Sequence, residues 1–118
     1  MGTQLDYRVV TLGIARERYA AAQLLLTLAA EREAYLRSFS GNLSNRIVAH
    51  DAVVLAQEAI DRAQDEITKA ELGIREWGRD NEATRDEVLA QLGHRTTLTE
   101  EELETTVRLA TDWARDEG

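Results

Sequence analysis

An all-α fold follows from three observations: proline is absent, aromatic residues make up only 5% of the chain, and apolar residues recur at alternating three- and four-residue steps over two long stretches. Ala, Leu, Glu, Gln and Arg are abundant, and these side chains lose little freedom in a helix. At 118 residues the chain fits a single helical domain, residues 1–118. The expected architecture is a long antiparallel helical hairpin over 6–77, coiled-coil-like with an Ala-rich seam and a turn near 40–44. Two shorter helices in a C-terminal segment, 84–116, complete a helical bundle.

Three breaks divide the elements. In "SFSGNLSN", 38–45, Gly41 suits the left-handed end of one helix and Ser44 or Asn45 the cap of the next. "GRDNEAT", 78–84, and "GHRTTLT", 93–99, are the other two. Helices are therefore expected near 6–39, 45–77, 84–92 and 99–116.

The first helix places Leu5, Leu12, Tyr19 and Leu26 at one heptad position and Ala15, Ala22, Ala29 and Leu36 at the other. The second helix is more regular: Val53, Ile60, Ile67 and Ile74 alternate with Ala56, Ala63, Ala70 and Trp77. A short turn near Gly41 forces the two antiparallel, in a register where paired residue numbers add to about 82. That register sets Leu26 on Ala56, Ala22 on Ile60, Tyr19 on Ala63 and Leu12 on Ala70, so large meets small in each layer. Glu58–Arg62, Asp65–Lys69 and Glu71–Arg75 are spaced as helical ion pairs, each contributing about 0.2–0.5 kcal/mol.

The C-terminal helices carry the clearest start signals. Thr99 and Glu102 have capping-box spacing, with Leu98 and Leu103 as a hydrophobic staple, and Thr84 and Glu87 repeat the box one element earlier. Acids in both first turns favour the positive helix end, which accounts for much of the local acidity.

Net charge is -8 and unevenly spread: residues 1–50 hold six Arg against four acids, +2, and residues 51–118 hold eight Lys or Arg against eighteen acids, -10. Binding a nucleic-acid backbone needs clustered Lys and Arg, so direct nucleic-acid binding is not expected. "AAAQLLLTLAA", the most apolar segment, is too short to span a bilayer, so no membrane role is expected. Without cysteine there is no disulfide framework, and "MGTQLDYRVV" lacks the pattern of a secretory leader; a cytoplasmic location is the expectation.

Glu58-x-x-Asp61 is a carboxylate pair of the kind that holds a metal ion. It resembles one fragment of the all-α nucleotide pyrophosphohydrolases of the MazG type, whose paired Glu and Glu-x-x-Asp elements hold magnesium. The resemblance covers that four-residue span, with Glu31 and Glu33 as further carboxylates, and the family's Glu-Glu-x-x-Glu grouping is missing. It implies magnesium-dependent hydrolysis of nucleotides. In the heptad frame, however, both carboxylates lie away from the hairpin partner, whereas a bundle metal site needs ligands converging from facing helices. Neither His50 nor His94 falls in a Glu-x-x-His pattern, and no nucleophile elbow, P-loop or dinucleotide glycine motif is present. No catalytic, cofactor-binding or metal-ligating residue is assigned, and no enzymatic activity or cofactor is expected.

Leu24, Leu25 and Leu28 fall outside the seam of the first helix, as do Val48 and Leu55 outside that of the second. They need a cover, either the C-terminal helices or a second copy of the hairpin, and with Trp113 they form the candidate interaction set. The expected function is a non-enzymatic interaction protein: a self-associating subunit, adaptor or scaffold, most simply a dimer, with a basic protein as the partner its acidic half suits. The alternatives are a small acidic inhibitor that mimics nucleic-acid charge in a basic groove, and the metal-dependent hydrolase.

Overall fold

A computed structural model of the protein describes residues 4–38, 43–93 and 98–117, nearly all of them helical. The helices are α1 (Gln4–Ser38), α2 (Leu43–Asp80), α3 (Arg85–Leu92), α4 (Glu100–Thr111) and α5 (Trp113–Glu117). Two long packed helices followed by shorter C-terminal ones make the all-α hairpin bundle that the heptad pattern predicts. The expected last helix is interrupted at Asp112, whose N–H bonds Leu109 O, and so becomes α4 and α5. The hairpin turn near Gly41 and the loop holding His94 lie outside the described residues.

Two corrections concern helix ends. Ser44 and Asn45 are not caps, because α2 already begins at Leu43 and both lie within its first turn. Nor does Gly78 end α2, which runs on to Asp80. The reversal falls on Glu82, the one non-glycine residue at positive φ, 47°, among the described residues. Ala83 N–H bonds Gly78 O at 2.9 Å and Glu82 N–H bonds Arg79 O at 3.2 Å, the paired bonds of a Schellman ending. Asn81 Nδ2 reaches back to Trp77 O at 2.8 Å and occupies another terminal carbonyl.

The chain divides into two compact units, residues 1–13 with 67–118, and residues 14–66. The first holds the larger core. Leu5, Val9 and Leu12 of α1 meet Ala70, Ile74 and Trp77 of α2, and Val88, Leu92, Val107, Leu109 and Ala110 pack against them. Leu5, Ile74, Val88 and Leu92 are fully buried, each contributing about 1.5–3 kcal/mol. Leu98 and Leu103, the expected staple, both pack on this cluster. Arg8 takes a seam position where an apolar residue would be expected, and its Nη1 donates to Gly73 O at 2.6 Å. The buried Thr106 hydroxyl is satisfied by Glu102 O at 2.9 Å.

The second unit consists of one stretch of each long helix. Its buried residues are Ala15, Ala22, Ala49, Ala56, Ile60 and Ala63, with Tyr19, Leu26 and Val53 half-buried, so the seam is thin and mostly alanine. Arg18 Nη1 lies 3.2 Å from Glu66 Oε2, and His50 Nδ1 lies 3.2 Å from Glu33 Oε1. Their residue numbers add to 84 and 83, and those of Arg8 and Gly73 in the other unit to 81, close to the expected 82. The two helices are antiparallel in both units.

Candidate interaction surface

The second unit has too little buried volume to hide the apolar residues it carries. Alanine at alternate seam positions lets helix axes approach closely, but only one face of each helix can then be used. The remaining large side chains are left on the surface: Leu24 61%, Leu25 58%, Leu28 53%, Val48 61% and Leu55 61% exposed. These are the residues the heptad pattern left over. The C-terminal helices, one of the two expected covers, contribute Val88, Leu92, Val107, Leu109 and Ala110 to the core of their own unit, with Leu5, Ile74 and Trp77. Ile14, Tyr35, Leu43, Ile47 and Val54 join the exposed set, which is therefore wider than the heptad pattern implies.

Leu25 also lines a shallow groove with Ala21 and Ala22 of α1 and Ala59 and Ala63 of α2. Arg18, Arg62 and Glu66 edge it, and the Arg18–Glu66 pair spans the two helices. Five of its lining residues are apolar and three are charged, a mixture compatible with an interface.

Trp113, the remaining candidate, is half-buried in the first unit. Its Nε1–H donates to Ala83 O at 3.0 Å, which ties the start of α5 to the residue that follows the α2 ending. Asp112 beside it pairs with Arg75 at 3.6 Å, so Arg75 reaches the break between α4 and α5 rather than serving the expected i,i+4 pair with Glu71. Leu72, Arg75, Arg79, Asp112 and Trp113 line a second shallow groove in this unit.

The carboxylates singled out for metal chemistry stand apart from any cluster. Glu58 and Asp61 are exposed, and Asp61 accepts a long hydrogen bond from Gln57 Nε2 at 3.5 Å. Glu33 is occupied by Arg37 at 2.6 Å and by His50. Among the described residues, no three His, Asp or Glu side chains lie close enough to share a cation. No described helix is long and apolar enough to cross a membrane.

Among the described residues, Arg85 and Glu104 are each held more firmly in their ordinary charged form. Arg85 grips Glu104 through both guanidinium nitrogens, at 2.6 and 3.2 Å, clamping the start of α3 to α4. That hydrogen bonding, and then the charge of Arg85, holds the Glu104 carboxyl below the usual range, and Arg85 is raised by the same contact. Both are exposed, which marks a structural clamp rather than a reactive pair. No protein-family model, curated protein or solved structure matches this chain.

Proposed function

We propose that the protein is a non-enzymatic helical interaction protein, a self-associating subunit, adaptor or scaffold of a larger assembly. The observation that carries this reading is the set of exposed leucines and valines of residues 14–66, which the seam of that unit does not bury. So many large apolar side chains exposed on one unit support a contact site. The acidic second half, with its -10 balance, suits a basic protein partner. Light scattering during size-exclusion chromatography measures the assembly directly, and a dimer mass is expected. Leu24→Glu and Leu28→Glu should each lower that mass to the monomer's while far-ultraviolet circular dichroism keeps its helical signal. A strict monomer at high concentration would refute self-association, and unfolding of both variants would place those leucines in an internal core.

The charge asymmetry also favours a second reading, a small acidic inhibitor that occupies a basic groove. Such binding would weaken steeply with salt, whereas an apolar contact would hold or tighten.

A further inference from the structure

The exposed strip of α1 in residues 14–66 carries an order that simple amphipathicity does not require. Reading outward in both directions from the Leu24–Leu25 bond, Arg16-Glu17-Arg18 on one side is answered by Glu31-Arg32-Glu33 on the other, each charge at the same distance as its opposite. Glu17, Arg18, Glu31 and Arg32 are all exposed.

We propose that two copies of this chain pair through α1, antiparallel, with the twofold axis between Leu24 and Leu25. This names the surface and register of the self-association proposed above and rests on that reading. A twofold interface must be self-complementary, because residue i meets j wherever j meets i. In this register Glu17 lies level with Arg32 of the second copy, and Arg18 with Glu31 of the second copy. Each end of the contact thus brings two glutamates of α1 level with two arginines, and Arg18 also keeps its pair with Glu66 of its own chain. Between the ends, Leu24 lies level with Leu25 of the second copy and Ala21 with Leu28 of the second copy, so small again faces large. Ile14 lies level with Tyr35 of the second copy and closes each end. A parallel pairing in register would set each of these residues beside its own copy and place like charges together, at a cost in stability.

From Ile14 to Tyr35 the strip is roughly 32 Å long at 1.5 Å per residue and about 10 Å wide. Its footprint is roughly 320 Å², well below the ~800 Å² per partner of a standard interface. The proposal accordingly commits to a weak, transient dimer rather than an obligate one.

Charge exchange at Glu17 and Arg32 tests the register, because neither forms an ion pair with another of the described residues. By sedimentation equilibrium, Glu17→Arg and Arg32→Glu should each raise the dimer dissociation constant about tenfold, since symmetry counts every contact twice. The double variant Glu17→Arg/Arg32→Glu should return to within about threefold of the parent. The chain has no cysteine, so single cysteines report proximity cleanly. Leu25→Cys should crosslink to its own copy; Arg32→Cys should not, but should crosslink when mixed with Glu17→Cys. A dimer with neither charge rescue nor this crosslinking pattern overturns the register and leaves self-association standing. A monomer up to about 200 μM, where a micromolar dimer is well populated, overturns both.

Discussion

Gly78 of α2 and Ala110 of α4 lie so close that a methyl group on Gly78 would overlap the Ala110 carbonyl, with the Ala110 Cα and carbonyl carbon at 2.7 and 2.6 Å. The obstacle is backbone, which cannot turn aside as a flexible side chain can. In an open helix, alanine for glycine should stabilise by about 0.5–1 kcal/mol. A Cβ on Gly13 of α1 would meet nothing within 4 Å, and this position should show that gain. Gly78→Ala should instead destabilise by about 3 kcal/mol or more, through overpacking. Urea unfolding of the two variants gives opposite signs if α4 crosses α2 at this glycine; a gain for Gly78→Ala would mean that it does not.

Glu82 supplies the left-handed residue of the α2 ending, a role glycine fills without steric cost. Its side chain is exposed, so substitution removes no packing. Relief of about 1–2 kcal/mol of backbone strain, less the larger entropy of glycine in the unfolded chain, leaves Glu82→Gly more stable by about 0.5–1 kcal/mol. Thermal melting checks this, and Glu82→Val should move the midpoint the other way, because a β-branched residue tolerates positive φ least.

These two positions also show what could be read from residues and what could not. The hairpin was legible because its signal repeats: four large and four mostly small residues on each helix set the seam, and the structure buries them wholly or partly. The Thr99–Glu102 box was legible because both bonds are local; both are present, at 3.1 and 3.3 Å. The end of α2 was not, because glycine serves two purposes. Gly78 reads as a terminator, yet here it permits a close crossing, and which applies depends on a helix well separated from it along the chain. Arg8 at a seam position and Arg75 with Asp112 were hidden for the same reason, since each finds its partner outside its own helix. The exposure of Leu24, Leu25 and Leu28 was legible by subtraction, as leucines that the seam could not use. The wider membership of the exposed set was not, because exposure at Ile14, Tyr35 and Ile47 depends on how little the alanine seam covers.

The indole of Trp113 holds the start of α5 through a single hydrogen bond to Ala83, a residue only 2% exposed. Trp113→Phe keeps most of the apolar surface but leaves the Ala83 carbonyl without that donor. The expected loss is about 1–2 kcal/mol in chemical unfolding, the cost of an unmade buried bond. If Trp113 instead contributes mainly by binding a partner, the variant would retain its stability and lose affinity.

Arg85 and Glu104 give a pH dependence with a definite sign. The hydrogen bonds from Arg85, then its charge, lower the Glu104 pKa in the folded protein below that of the unfolded chain. The unfolded state therefore binds the proton more readily, and folding is favoured most when both states are ionised. The stabilisation is fully present above the ordinary carboxylate range and is lost as pH falls through the lowered folded value. Glu104→Gln should melt slightly below the parent at pH 7, and the two curves should converge in acid as the parent's carboxylate protonates. Because both side chains are exposed, the gap at pH 7 should also shrink in 1 M salt, where charges are screened beyond about 3 Å. A gap that widened on acidification would reverse the sign and show that Glu104 is held in its protonated form.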